Sequence, residues 1–295
     1  MTGGTGFVGK KLVEQLSHPI VCSRKRESAS KKLSLPANQI IEWDTNSPFP
    51  VEASPTPIRA VVNLMGESIT HGRWTEAKKK RIRDSRVLGT RNLVDGFINS
   101  GQIPEVMVSA SAIGFYGDSG EAIVDEDHQM GTGFLTDVCV EWEQEALRLQ
   151  EHGTRVVCLR IGIVIGAEGG AVKELVPIFR WAIGGPLGSG KQWMAWIHVD
   201  DLVGMIQFCL NEPSISGPVN GTAPHPVRNY DFTKAIAKAV RRPAFLPVPK
   251  FAVKLILGEF ADSLFFSQNV IPKAAMDHGF KFQFTEIDEA VADVV

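Results

Sequence analysis

Three glycines at the start of the chain constrain its fold most strongly. Residues 2–9 read Thr-Gly-Gly-Thr-Gly-Phe-Val-Gly, so Gly3, Gly6 and Gly9 recur at every third position. In a dinucleotide-binding fold such a loop joins a strand to a helix, and its glycines let backbone N–H groups approach a pyrophosphate. The positive end of the helix dipole then faces the phosphates. The opening residues therefore predict a nucleotide ligand.

The strand that normally precedes this loop has no counterpart in the sequence, which begins at Met1. That strand is central in the fold, and its loss leaves backbone groups of two neighbours unpaired. We therefore expect Met1 to be a late start, an alternative product or a gene-model error, and a longer form to carry about five apolar residues before Thr2. For residues 1–295 alone we expect a gap in the middle of the sheet and weaker nucleotide binding.

Apolar runs of strand length alternate with helical periodicity through the first half of the chain, which indicates a parallel sheet covered on both faces. The predicted fold class is α/β, with a doubly wound Rossmann sheet over residues 1–165. Residues 166–295 are predicted to form a smaller α/β substrate subdomain, some segments of which return to the first domain. For the long helix over residues 75–99, the predicted core positions are Leu88, Leu93, Val94 and Phe97.

Composition narrows the class of partner. The formal net charge is −2, with 22% charged residues, so no electrostatic attraction to nucleic acid or to an anionic membrane is expected. No apolar run approaches the ~20 residues that a membrane helix needs. The four cysteines are far apart, which favours buried thiols in a reducing compartment and no metal site. We expect a cytoplasmic protein, or one of an organelle matrix if an upstream segment is missing. The sequence leaves the oligomeric state open, with a dimer as one option.

The end of the second predicted strand indicates which dinucleotide binds. An acidic residue about 20 residues after the loop would hold a ribose 2′-hydroxyl. Here the matching residues begin with Ser23 and Arg24, and no carboxylate is present. A guanidinium and a hydroxyl suit a 2′-phosphate, which favours NADP(H) over NAD(H). The alternative is a solvent-exposed basic turn.

Several motifs together resemble the extended short-chain dehydrogenase/reductases, which include the sugar-nucleotide epimerases. They are the glycine loop at 2–9, Asn-Leu-Met-Gly-Glu at 63–67, a helix motif ending in Gly89-Thr90, and the segment 159–166. The glycine-rich run 184–192, followed by Trp-Ile-His-Val-Asp-Asp at 196–201, is similar to the atypical branch called the epimerase family proteins.

The resemblance implies an NADP(H) site whose members can be named. Gly3, Gly6, Phe7 and Val8 would form the pyrophosphate turn, and Ser23 and Arg24 would hold the 2′-phosphate. Leu64 and Met65 would lie along the ribose and pyrophosphate, and Arg86 and Arg81 would approach a phosphate. The last two belong to a basic run, for which one solvent-exposed helix face is the alternative.

The catalytic pair of the wider family is absent from its usual helix. Active members use Tyr-x-x-x-Lys, whose spacing places both side chains on one helical face for proton transfer. The corresponding positions here are Leu135 and Cys139, which cannot do this chemistry. Tyr230 and Lys234 have the spacing but lie in the second half, where a helix start is the simpler interpretation.

A few other polar residues are candidates for substrate binding, proton donation or helix capping. Ser111 matches the family's substrate-binding Ser, with a turn or cap as the alternative, and Tyr116 is a weaker candidate proton donor. Gln192, Trp196 and His198 are predicted substrate contacts, although a lone His in a strand is more often structural. Asp200 and Asp201 are predicted to cap the following helix.

Two functions follow from these residues. The favoured one is an NADP(H)-binding oxidoreductase or epimerase-like protein that transfers hydride to or from an unidentified small carbonyl or hydroxyl compound. The alternative is a non-catalytic NADPH-binding sensor or scaffold, which the loss of Tyr and Lys favours.

Overall fold

The computed structural model describes residues 1–70 and 72–295. Its helices are α1 (Phe7–Gln15), α2 (Arg26–Leu33), α3 (Glu76–Ser100), α4 (Phe134–Leu147), α5 (Gly170–Arg180), α6 (Val199–Asn211), α7 (Asn229–Val240), α8 (Lys250–Leu257), α9 (Phe260–Ser263), α10 (Lys273–Asp277) and α11 (Ile287–Val294). Its strands are β1 (Val21–Ser23), β2 (Ile40–Glu42), β3 (Ala60–Asn63), β4 (Val106–Ala112), β5 (Ile123–Val124), β6 (Arg155–Ile161), β7 (Ile163–Ile165), β8 (Trp193–Met194), β9 (Trp196–His198), β10 (Gly217–Gly221), β11 (Val227–Arg228) and β12 (Asn269–Val270).

The central sheet is parallel, in the order β10–β6–β4–β3, and β1 and β2 form a second parallel pair. Met1 and Thr2 lie between the two parts. Thr2 N–H donates to the Val62 carbonyl at 2.9 Å, and the Met1 carbonyl accepts from Cys22 N–H at 2.8 Å. Two residues thus connect the edges of β3 and β1, and the strand expected before Thr2 stays a prediction.

Alternating side chains of the central strands explain why helices cover both faces of the sheet. Met107 and Val156 pack beneath α3 and α4 with Phe97, whereas Val108 and Val157 pack on the opposite face. That second face is covered by α1 and α6. In the long helix α3, Leu93, Val94 and Phe97 are buried as predicted. The prediction for Leu88 was wrong: it is exposed, because its neighbour Val87 takes the inward position.

The second half of the chain contributes to both parts of the molecule. Strand β10 pairs with β6 in the central sheet, and α6 packs against α1. A separate core forms from α5, α7, α11 and the β7–β9 pair, with Trp196 and Phe232 at its centre. The carboxyl ends of β4, β6 and β10 lie side by side.

Among the helices of the described residues, none is both long enough and apolar enough to cross a membrane.

Candidate functional site

The glycine loop is packed too closely for any larger residue. Gly3 has φ +66°, and a Cβ there would lie 2.4 Å from the Leu64 carbonyl oxygen. A Cβ on Gly9 would lie 2.2 Å from the carbonyl oxygen of Gly3, while Gly6 N–H donates to that same oxygen at 2.9 Å. The loop is therefore a rigid turn held against the segment after β3.

Helix α1 begins directly after this loop, at Phe7. Within the described residues no side chain caps its first turn, so its N–H groups remain free to meet an anion. The Phe7 ring fills the space beside Gly166 and Gly169, where added Cβ atoms would approach it to 2.2 and 2.5 Å. Val8 packs on the core of the central sheet. The arrangement fits a pyrophosphate bound at the open N-terminus of α1.

Ser23 and Arg24 stand at the carboxyl end of β1, as the sequence predicts. The Arg24 side chain is exposed, and Ser23 Oγ makes a long contact, 3.4 Å, with Lys25 N–H. Glu42, at the end of β2, accepts a hydrogen bond from Arg26 N–H at 2.9 Å and so caps α2. A guanidinium and a hydroxyl are therefore available where a 2′-phosphate would be held.

A buried polar cluster fixes the strand ends below the loop. Asn63 accepts from the Thr2 hydroxyl at 2.7 Å and donates its amide to Thr90 at 2.9 Å and Ser109 at 3.1 Å. Trp142 Nε1 also donates to the Thr90 hydroxyl, at 2.9 Å. One hydrogen-bond network therefore joins four elements, β3, α3, β4 and α4, and it includes Asn63 and Thr90 of the two sequence motifs.

Arg86 lies under the segment that follows β3. Its guanidinium donates to the Glu67 carbonyl at 3.0 Å and stacks on Trp142 at 5.3 Å, and a Cβ on Gly66 would approach it to 2.9 Å. Burial lowers the pKa of Arg86. This places a cation beneath the chain segment predicted to face the cofactor, with Met65 packed beside it against Gly89.

Arg81 and its basic neighbours are divided between two environments. Lys78 is buried and pairs with Glu67 at 2.8 Å, whereas Arg81 is exposed and approaches the same carboxylate to 3.6 Å. Lys79 pairs with Glu259 at 2.6 Å, which ties α3 to the segment before α9. The basic residues of this run therefore do not all lie on one solvent-exposed face of α3, because Lys78 is buried and Lys79 pairs with a residue of another segment. A phosphate contact from Arg81 stays a prediction.

A buried ion pair occupies the predicted catalytic corner, at the carboxyl ends of β4 and β6. Arg160, in the middle of the sheet on β6, forms two hydrogen bonds of 2.9 Å with Glu143 on α4. Ser111 donates to the same carboxylate at 2.6 Å. Both polar candidates, Ser111 and Tyr116, are thus tied to this pair, because Arg160 also donates to the Tyr116 hydroxyl at 2.9 Å.

Tyr116 is held from both sides. It accepts from Arg160 and donates to the Asn220 side chain at 2.8 Å, and it is 2% exposed. Burial raises the pKa of Tyr116 to about 12, despite the nearby Arg160. Asn220 N–H in turn donates to Glu126 at 2.8 Å, and burial raises the pKa of that carboxyl. The phenol is arranged as a structural link between β6 and β10.

Leu135 and Cys139 occupy one side of α4 beside Gly114. A Cβ on Gly114 would lie 3.4 Å from Leu135 Cβ and 3.7 Å from Cys139 Sγ. Burial, followed by the charge of Glu143, raises the pKa of Cys139 to about 11. At neutral pH these positions supply neither a proton nor a positive charge.

Gln192, Trp196 and His198 do not share one accessible surface. Trp196 is fully buried and donates to the His225 carbonyl at 3.0 Å, and Gln192 donates to the Leu187 carbonyl at 3.2 Å. His198 is 1% exposed and stacks on Phe284 with centroids 3.9 Å apart. A substrate contact from any of the three stays a prediction, and their present contacts are structural.

The predicted caps of α6 were wrong. His198 caps the helix, because its Nδ1 accepts from Asp200 N–H at 3.3 Å. Asp201 instead turns inward and accepts from Gln283 N–H at 2.7 Å and Phe284 N–H at 2.9 Å. His198, Asp200 and Asp293 offer ligand atoms within 4.8 Å of one another, but Asp200 is paired with Lys11.

Glu143 and Arg160 are the members of the site that sequence reasoning overlooked. Glu143 lies on the apolar stripe of helix α4, and Arg160 lies in the apolar strand β6, so the periodicity requires both charged residues to be buried. Buried charges are paired in folded proteins. The sequence could have indicated this pair, because it places two residues of opposite charge at buried positions of consecutive elements.

A doubly wound parallel sheet with a glycine loop at the entry to α1 defines a Rossmann-type dinucleotide-binding protein. The profile of the NAD dependent epimerase/dehydratase family matches residues 1–220, and a domain of unknown function, DUF1731, matches residues 248–294. The chain belongs to the NAD dependent epimerase/dehydratase family. The predicted α/β Rossmann fold and the family resemblance are both confirmed.

Relatives are similar along nearly the whole chain. An Arabidopsis thaliana chloroplastic homologue of epimerase family protein SDR39U1 is 40% identical over 304 residues, which cover 100% of this chain and 86% of that protein. An epimerase family protein of Mycobacterium bovis is 37% identical, covering 99% and 95% of the two chains. The crystal structure of human SDR39U1 with NADPH has a TM-score of 0.88 at 32% identity and covers 99% of this chain and 97% of that one.

Proposed function

We propose that this chain binds NADP(H) and transfers hydride between the nicotinamide and a small carbonyl or hydroxyl compound. The observation that carries the proposal is the open N-terminus of α1 behind the packed glycine loop, with Arg24 exposed at the end of β1. The human relative solved with NADPH supports the choice of cofactor. When bound, the nicotinamide supplies the hydride or accepts it.

In this proposal, the chain's residues divide the work between two ends of the cleft. Gly3 and Gly6 shape the pyrophosphate turn, Ser23 and Arg24 hold the 2′-phosphate, and Leu64 and Met65 lie along the ribose. At the nicotinamide end, Leu135 and Cys139 present an apolar surface beside Gly114. Hydride addition to a carbonyl leaves an alkoxide, and without a side-chain donor at either of the usual positions the proton that completes the alcohol would come from water; in the reverse direction water would accept the hydroxyl proton.

A non-catalytic NADPH sensor or scaffold is the second candidate. The observation that favours it is the buried network in which Ser111 and Tyr116 already have hydrogen-bond partners. A side chain with its proton committed to Glu143 or Asn220 is a poor donor to substrate. For a sensor, the same network would simply stabilise the folded cofactor site.

Isotope transfer distinguishes the two functions. The protein is incubated with NADPH carrying deuterium at C4 and with a panel of aldehydes, ketones and imines, and products are analysed by mass spectrometry. An oxidoreductase is expected to move deuterium to at least one compound. Cofactor binding with no transfer to any member of the panel would favour the sensor instead.

We also propose a reducing compartment, either the cytoplasm or an organelle matrix. In the described part of the chain the four cysteines are free, three of them buried. One relative is named as chloroplastic.

A further inference from the structure

Exposed apolar side chains are concentrated on one surface of the second half of the chain. Among residues 1–70 and 72–295, six large apolar side chains are 71% exposed or more. They are Trp181, Ile183, Phe245, Phe251, Leu255 and Ile256. Single exposed apolar residues are ordinary, but a cluster marks a contact surface. These six side chains are called the apolar face below.

The two segments that carry the apolar face are joined by backbone hydrogen bonds. Val248 N–H donates to the Pro186 carbonyl at 2.8 Å, and Gly188 N–H donates to the Val248 carbonyl at 2.9 Å. Arg242 Nε also donates to the Arg180 carbonyl at 3.3 Å. The end of α5 and the loop before α8 are therefore neighbours in space and form one surface.

Helix α8 contributes half of this face and has its apolar side turned to solvent. Phe251 and Leu255 are one turn apart and exposed, while Val253 on the inner side is buried. Lys250 and Lys254 lie beside them and pair with Asp262 at 2.9 and 3.1 Å. A surface helix normally turns its apolar stripe toward the core, so this helix is built to contact something else.

The charges around the face are predominantly positive, and Asp262, which pairs with Lys250 and Lys254, is a neighbouring carboxylate. Segments 178–188 and 241–257 contain no Asp or Glu. Their five cationic residues are Arg180, Arg241, Arg242, Lys250 and Lys254, all of which are exposed. The net charge of −2 for the whole chain conceals this local excess. A second copy is a poor occupant, because a two-fold contact would bring the same cations face to face.

We propose that the apolar face docks on an anionic lipid bilayer. The aromatic and aliphatic side chains would enter the boundary between headgroups and acyl chains, and the cations would lie at the level of the phosphates. Trp181, the most exposed of the six, is of the residue type enriched at that boundary. The proposal is independent of the hydride-transfer function.

Vesicle co-sedimentation tests the proposal with the full chain. Phosphatidylcholine vesicles with about 30 mol% phosphatidylglycerol are expected to retain the protein, less so as salt is raised, and pure phosphatidylcholine vesicles are not. Phe251→Ser with Leu255→Ser should abolish retention. Arg241→Gln with Arg242→Gln should weaken it roughly 25-fold, since each charge near the surface contributes about fivefold.

The matched control is Met130→Ser with Met276→Ser, which removes two exposed apolar side chains away from the face and should leave retention unchanged. Circular dichroism of each variant verifies that it is folded. Three results would overturn the proposal: no retention on anionic vesicles, equal retention on neutral ones, or equal loss in the control. A wild-type dimer that Phe251→Ser with Leu255→Ser converts to a monomer would also overturn it, because the face would then bind a second copy.

Discussion

The two ends of the proposed cofactor site are built in opposite ways. At the nucleotide end, the structure leaves backbone N–H groups and the Arg24 side chain open to solvent, behind a loop with no room for a Cβ. At the predicted catalytic end, Ser111 donates to the buried Glu143 and Tyr116 donates to Asn220. One end is prepared for a ligand, and the other is internally satisfied. Substitutions at the two ends should therefore affect cofactor binding and stability separately.

The largest effect is expected at the buried ion pair. Glu143→Gln leaves Arg160 buried without a counter-charge and should reduce the free energy of unfolding by about 3–5 kcal/mol. Urea denaturation measures the loss. The control, Glu105→Gln, breaks the exposed pair with Arg59 and should leave the denaturation midpoint unchanged. Equal effects in the two variants would show that the buried Glu143–Arg160 pair contributes no more to stability than the exposed Arg59–Glu105 pair.

The glycine loop is expected to be the most sensitive part of the nucleotide end. Gly9→Ala places a Cβ 2.2 Å from the Gly3 carbonyl oxygen and should weaken NADPH binding at least about a hundredfold. Isothermal titration calorimetry measures the affinity. In the control, Gly204→Ala, the new Cβ meets only the Phe280 ring at 3.7 Å, so binding should be unchanged. Normal affinity in Gly9→Ala would remove the loop from the site.

Tyr116→Phe separates the two ends directly. It removes the hydroxyl between Arg160 and Asn220 and should cost about 1–3 kcal/mol of unfolding free energy, while NADPH affinity stays at the wild-type value. Thermal or urea denaturation and calorimetry supply the two readouts. With a substrate identified by isotope transfer, complete loss of turnover in Tyr116→Phe with normal stability would instead identify Tyr116 as a proton donor.

A smaller, pH-dependent effect is expected at His198. Burial lowers the pKa of His198 below its ordinary value of 6.5 and outweighs the carboxylates of Asp200 and Asp293. Its stabilising contribution is therefore complete above pH 6.5 and declines as the pH falls from that value toward the folded pKa. His198→Asn keeps a helix cap but should remove this part of the slope of unfolding free energy between about pH 7.5 and about pH 5.5. An unchanged slope would contradict the assignment.

The sequence predicted the elements whose signal is local. The glycine loop, the apolar strands β4 and β6 and the helices α3 and α4 follow from spacing and periodicity alone. Helices α2 and α5 were not predicted, since a basic start and an internal Pro177 obscure their patterns. The Glu143–Arg160 pair depends on which strand lies under which helix, and that is set by sheet order rather than by local sequence.

The most direct test of the account is the ratio of NADPH to NADH affinity in the wild type and in Arg24→Glu, with Lys31→Glu as an exposed control on α2. Calorimetry of the purified full chain gives all the affinities. The account predicts that the wild type prefers NADPH, that Arg24→Glu lowers the ratio by about tenfold or more through loss of a charge-assisted phosphate contact, and that Lys31→Glu leaves it unchanged. Equal weakening of NADPH and NADH by Arg24→Glu would contradict it.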